Sequence, residues 1–156
     1  MNEKLKSENK KNEVRILIVD DHPIIRRGLK DLIDQEPDFV VRAQAGDALE
    51  ALEAVEEQPF DLAVVDISLK EINGIQLTEK IHSLYPNMPV LILTMHHEAA
   101  YCERALRAGA SGYVMKNEAA EKVITAIRSL LCGKAYISET LMRNSSEQTS
   151  AEGWFY

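Results

Sequence analysis

Three carboxylates stand where short apolar runs end. Asp20 and Asp21 close Val14-Arg15-Ile16-Leu17-Ile18-Val19, and Asp66 closes Leu62-Ala63-Val64-Val65. Such runs read as buried parallel strands, which leave their carboxyl ends on one edge of a sheet. If the two strands are neighbours, the three acids converge in the crevice where open α/β sheets bind ligands. Like charges that close need a cation. Asp20 and Asp21 could hold Mg²⁺, which favours octahedral oxygen coordination, and the backbone carbonyl of Ser68 could complete its shell. Asp66 could be both metal ligand and nucleophile, since a carboxylate that attacks phosphorus gives an aspartyl phosphate. Charge developing on phosphoryl oxygens needs fixed donors and cations. Thr94, which ends Val90-Leu91-Ile92-Leu93, offers a hydroxyl, and Lys116, just after Gly112-Tyr113-Val114-Met115, offers an ammonium.

Taken singly, each of these residues has an ordinary explanation. An Asp at a strand end is commonly a turn residue or helix cap. Thr94 reads as a β-branched strand residue, Lys116 as a solvated lysine and Tyr113 as a half-buried core aromatic. Their joint placement at the carboxyl ends of four strands is what points to one pocket.

The elements that must position them alternate five times. Strands are expected at Val14–Asp20, Phe39–Ala45, Leu62–Asp66, Val90–Thr94 and Gly112–Met115. Pro23 marks a first helical turn, and Ile24, Ile25, Gly28, Leu29, Leu32 and Ile33 form one face at helical spacing. Asp47 could cap a second helix that ends before Pro59, and a third runs from Asn73-Gly74 to just before Pro86. A fourth covers about Glu98 to Ala108 with Gly109 as its stop. The fifth, Ala119 to Leu131, carries Val123, Ile124, Ile127, Leu130 and Leu131 on one stripe. Five βα units predict a parallel sheet with helices on both faces.

Composition is that of a globular chain: 156 residues, 46% hydrophobic and 28% charged, with a net charge of −7 that disfavours bulk nucleic-acid binding. The polar leader of residues 1–13 lacks a signal-peptide core, and no apolar run reaches the ~18 residues of a membrane span. Cys102 and Cys132 are widely spaced, as reduced thiols in a cytoplasmic protein would be. A short extension is possible at Ala135-Tyr136-Ile137-Ser138, the stretch from Asn144 to Ser150 has linker composition, and Trp154-Phe155-Tyr156 has no physical account. His96-His97 reads as a solvated loop pair, His22 as a capping and packing residue, and Arg26-Arg27 as a wet helix face.

Asp20-Asp21-His22-Pro23, Asp66, Thr94 and Ala108-Gly109-Ala110-Ser111-Gly112-Tyr113-Val114-Met115-Lys116 resemble the receiver domain of bacterial two-component response regulators. The Asp-Asp-His-Pro opening is similar to the NarL/FixJ subfamily, whose members usually carry a LuxR-type helix-turn-helix output domain. The resemblance covers residues 14–133. It implies a flavodoxin-like (βα)5 doubly wound parallel sheet of strand order 2-1-3-4-5, the order that brings strands one and three together. It also implies roles. Asp66 would be the phosphoacceptor, Asp21 a direct magnesium ligand, and Asp20 a ligand acting mainly through coordinated water. Thr94 and Tyr113 would be the switch pair, and Lys116 the lysine that contacts the phosphate. A sensor histidine kinase is the implied phosphodonor, and the surface of the fourth helix, fifth strand and fifth helix the implied output. No enzyme turnover is implied beyond self-phosphorylation and slow self-dephosphorylation. A homodimer on phosphorylation is possible through the first and fifth helices or the fourth-to-fifth-helix face.

Two positions depart from the usual pattern. Lys70 stands where many receivers have Pro, and Met95 where a small residue is common; its bulk predicts slow loss of the phosphoryl group. Residues 134–156 are too few for a whole output domain, so a DNA-binding domain absent from this chain is the expectation. The alternatives are a stand-alone receiver working through protein contacts or phosphorelay, and a Mg-dependent phosphatase of the haloacid-dehalogenase type. The phosphatase is disfavoured because Ser68 stands where that class carries a second Asp. An FMN binder is disfavoured because crowded acids would repel its phosphate.

Overall fold

The computed structural model describes residues 13–69, 73–95 and 99–137. Apolar runs become strands β1 (Val14–Val19), β2 (Phe39–Ala45), β3 (Leu62–Asp66), β4 (Val90–Thr94) and β5 (Gly112–Met115), with a two-residue β6 (Tyr136–Ile137). Between them lie α1 (Pro23–Asp34), α2 (Ala48–Glu57), α3 (Gly74–Leu84), α4 (Ala99–Arg107) and α5 (Ala119–Leu131). All strand pairs are parallel, in the order β2-β1-β3-β4-β5-β6. This is the flavodoxin-like order expected from the sequence, extended by the short β6 on the β5 edge. β1 ends at Val19, one residue short of the expected strand.

Strand periodicity explains why the runs are apolar throughout. Successive side chains point to opposite faces, and here both faces are covered. Leu17, Val19, Ala63, Val65, Val90, Ile92 and Tyr113 pack with Ala51 and Val55 of α2, Leu77 and Ile81 of α3, and Cys102 and Ala105 of α4. Ile16, Ile18, Leu62, Val64, Leu91, Leu93 and Val114 pack with Leu29 and Ile33 of α1 and with Val123, Ile127 and Leu130 of α5. Burying each Leu or Ile contributes roughly 1.5–3 kcal/mol. β2, at the sheet edge, alternates buried and open positions, and Arg42 is skipped in its register with β1 between Val41 and Ala43. Such an extra residue belongs on an edge.

The helices start and stop for local reasons. Pro23 occupies the first turn of α1. The Asp47 carboxylate accepts the Glu50 amide at 2.8 Å and caps α2 as expected. Asn73 and Gln76 form a reciprocal capping box at α3. Gly109, after α4, has φ +111°, a conformation open to glycine at little cost. Three positions read from helical spacing as core differ. Ile24 is 87% exposed, Gly28 is exposed, and Leu131 is 37% exposed. The spacing of α1 is right, but its first turn carries Ile24 outward, away from any buried neighbour.

Candidate phosphoacceptor site

Periodicity also sets which side of the sheet each site residue takes. Asp20 follows Ile18, and Asp66 follows Val64, at the next in-phase position on the α1–α5 face. Lys116 stands two residues past Val114 of the same face. Thr94 is in phase with Ile92 and so lies on the α2–α4 face, as does Tyr113, which pairs with Ile92. Pairing of Val19 with Val65 brings the ends of β1 and β3 side by side.

The acids converge as the sequence suggested. Asp20 and Asp66 are each 1% exposed, whereas the Asp21 side chain is 15% exposed. The Lys116 ammonium lies 3.0 Å from Asp66 Oδ2 and 3.3 Å from Asp20 Oδ2, with its own side chain 7% exposed. Ser68 donates both its amide, at 3.0 Å, and its hydroxyl, at 2.9 Å, to Asp66 Oδ1. That fixes one carboxylate oxygen and leaves the other aimed at Lys116. Asp20 Oδ2, Asp21 Oδ1 and Asp66 Oδ2 are buried yet have no hydrogen-bond partner. Ion-pair contacts to Lys116 and His22 compensate them only in part, because three acids share those two groups. The three oxygens together are the donor set a hard divalent cation would take.

Backbone packing holds β3 and α3 in place behind these acids. The Gly74 amide donates to the Ile67 carbonyl at 3.0 Å. A Cβ on Gly74 would stand 2.2 Å from the Asp66 carbonyl oxygen and 2.6 Å from Ile67 Cα. Only glycine lets α3 begin so close to the strand that carries Asp66.

Two further residues belong to the site. The sequence makes His22 a capping and packing residue, but its side chain makes no cap hydrogen bond. Its ring Nδ1 instead lies 2.8 Å from Asp20 Oδ1, 3.0 Å from Asp21 Oδ1 and 3.7 Å from Asp66 Oδ2. Arg26, read as a wet helix face, donates through Nη1 to the Asp20 carbonyl at 2.6 Å. The signal for His22 was present, because a side chain two residues past a strand-end acid can fold back on it. Arg26 carried no such local signal.

Thr94, at the end of β4, and Tyr113, the second residue of β5, are wholly buried, and Asp66 pairs with Leu93, one residue before Thr94. Met95 follows with 69% of its surface exposed. Lys70, His96, His97 and the stretch from Asn144 to Tyr156 lie outside the described residues. Among the described residues no helix is long and apolar enough to cross a membrane.

Comparison with known proteins agrees with this geometry. Residues 16–128 match the family model of the response regulator receiver domain. The transcriptional regulatory protein DegU of Brevibacillus brevis is 35% identical over 133 residues, 85% of this chain and 56% of that protein. A LuxR-family two-component response regulator from Aurantimonas sp. SI85-9A1 superposes with a TM-score of 0.85 at 36% identity, over 88% of this chain and 99% of that one. The RcsB response regulator of Salmonella typhimurium superposes with a TM-score of 0.83 at 26% identity, over 91% of this chain and 69% of that one. The chain thus spans little more than half the length of the curated relative named here. With its sheet order, its converging acids and its match over residues 16–128, the chain belongs to the receiver domain family of two-component response regulators, among relatives of the NarL/LuxR type.

Proposed function

We infer that Asp66 is the phosphoacceptor of a two-component relay and that its phosphorylation switches the α4–β5–α5 surface. The observation that carries this reading is the asymmetry of the Asp66 carboxylate. Oδ1 is held by two donors from Ser68, while buried Oδ2 has no hydrogen bond and faces Lys116 at 3.0 Å. Oδ2 is therefore the nucleophile. It attacks the phosphorus of a phosphohistidine on a sensor kinase, the P–N bond breaks, and its electron pair leaves with the imidazole. The Lys116 ammonium neutralises charge gathering on the phosphoryl oxygens.

Asp20, Asp21, Asp66 and the Ser68 carbonyl are the residues that would hold Mg²⁺, with Asp21 the direct ligand and Asp20 at one remove. Buried Asp20 Oδ2 and Asp21 Oδ1, which make no hydrogen bond, fit that ion and leave Asp66 Oδ2 for the phosphoryl group. When bound, it supplies positive charge to the phosphoryl oxygens. After transfer the site carries about −1.5 to −2 further charge. The Thr94 hydroxyl is drawn toward it, and Tyr113, wholly buried among the residues of the α2–α4 face, turns into the space that Thr94 vacates. A local change of charge thereby biases a two-state surface. The proposed output is transcription, through a LuxR-type DNA-binding domain outside these 156 residues, with a homodimer formed on phosphorylation.

The test is intact-mass measurement after exposure to a small phosphodonor, with Mg²⁺ and again with a chelator. One phosphoryl group should be gained with Mg²⁺, far less with the chelator, and none by Asp66→Asn. Equal labelling of the variant would remove Asp66 from its role. Slow loss of the phosphoryl group is also proposed, with Met95 as its shield. Met95→Ala should then shorten the phosphoryl half-life, and an unchanged half-life would discard the shield.

A further inference from the structure

His22 stands inside the acidic cluster rather than beside it. Its Nδ1, two oxygens of Asp20 and Asp21, and one of Asp66 all lie within 4.8 Å of one another. Adjacent ligand atoms around one octahedral ion, with bonds of about 2.1 Å, stand roughly 3 Å apart. The Nδ1 separations of 2.8 Å from Asp20 Oδ1, a hydrogen bond in this structure, and 3.0 Å from Asp21 Oδ1 are compatible with that spacing. Asp66 Oδ2, at 3.7 Å, falls between adjacent and opposite positions.

The ring is also held in place. The His22 amide donates to Asp20 Oδ1 at 2.8 Å, which pins the turn from which the imidazole projects. Pro23 follows directly and fixes the next φ. Lys116 Nζ is 3.4 Å from Nδ1 and borders the same cluster, in contact with Asp20 Oδ2 and Asp66 Oδ2. The imidazole is therefore placed by the turn, with its nitrogen among the carboxylates of Asp20, Asp21 and Asp66.

We propose that His22 Nδ1 is a further protein ligand of this metal centre, beside the carboxylates and the Ser68 carbonyl, and tilts its selectivity from Mg²⁺ toward borderline divalent ions such as Mn²⁺ and Co²⁺. This rests on the reading of Asp20, Asp21 and Asp66 as metal ligands. Magnesium takes oxygen donors and gains little from imidazole, whereas nitrogen ligation favours first-row transition ions. The ring is half exposed, so an ion can reach the nitrogen without the fold opening.

Calorimetric titration of the 156-residue chain with Mg²⁺ and with Co²⁺ tests this, alongside pulsed electron paramagnetic resonance of Mn²⁺ bound to the unaltered protein. Imidazole ¹⁴N coupling to Mn²⁺ is expected. His22→Ala should weaken Co²⁺ binding by at least about tenfold and Mg²⁺ binding by clearly less. Absence of the coupling, equal losses for the two ions, or tighter binding of both would overturn the proposal; the last would make the ring a competitor. Asp21→Asn separates the two readings, since it should weaken every ion. Binding of all ions undiminished by Asp21→Asn would instead sink the underlying carboxylate site.

Discussion

The two edges of the sheet handle charge in opposite ways. At the edge where the strands begin, Asp61, Asp38 and Glu36 pair with arginines, and Asp34 pairs with Lys30. Asp61 takes both the amide and the guanidinium of Arg15, at 2.8 and 3.0 Å. Arg128 of α5 reaches Asp38 at 2.9 Å and Glu36 at 2.8 Å, and its guanidinium lies over the Phe39 ring, 4.5 Å from the centroid. These groups are half open to solvent and bidentate. At the edge where the strands end, three acids share one lysine and one imidazole, two of the acids are buried, and three oxygens have no hydrogen bond. The first edge is what charges look like when they only hold a fold together. The second keeps its charges underused, which costs stability unless a ligand supplies what is missing.

The largest expected effect comes from the backbone beneath the second edge. Gly74→Ala must push α3 away from Asp66 and Ile67, with a loss of about 3 kcal/mol in urea denaturation and poor phosphorylation. Normal stability in that variant would show that α3 can shift freely.

Next is the sign of a substitution within the cluster. Asp66→Asn, in chelator, should raise stability by about 1–2 kcal/mol, because it removes one of three crowded charges. Adding Mg²⁺ should narrow the gap by stabilising the wild type through binding. A destabilised variant in chelator would mean that Lys116 already balances the cluster.

Arg128→Ala should cost about 1 kcal/mol in thermal unfolding, from lost stacking on Phe39 and lost packing of the Arg stem. Phosphorylation should be untouched, and a phosphorylation defect would blur the contrast between the edges.

The smallest effect is a pH dependence. The Arg15 hydrogen bond holds the Asp61 carboxyl below its ordinary value, and the Arg128 hydrogen bond does the same to Asp38. A depressed folded-state pKa gives stability that is present in full at neutral pH. It is lost as pH falls through the folded value, below about pH 4. The melting-temperature gap between wild type and Asp61→Asn should therefore close below that pH. A gap that stayed constant into acid would deny the Arg15 pairing any role in stability.

Much of this was legible in the sequence because it is periodic or sits at a strand end. Four apolar runs became the inner strands, since burial on both faces leaves no room for polar alternation, while β2 at the edge alternates. Asp20, Asp21 and Asp66 could be joined in advance because parallel strands end on one edge and the family resemblance implied an order with β1 beside β3. Lys116 joined them from far along the chain only through that same topology. What escaped was contact that follows neither rule. Ile24 has helical spacing but no neighbour to bury it. Arg26 turns back to the Asp20 carbonyl from a position that reads as surface. His22 has its ring nitrogen drawn into the acids, although helix starts usually use their side chains as caps.

The most direct measurement is to find where the phosphoryl group sits. After exposure to a phosphodonor with Mg²⁺, borohydride reduces an aspartyl phosphate to homoserine, and peptide mass mapping locates the change. The account predicts homoserine at position 66 alone, and none when the phosphodonor is left out. Homoserine at position 20 or 21, or a stable phosphate on a serine or histidine in place of an acyl phosphate, would contradict it.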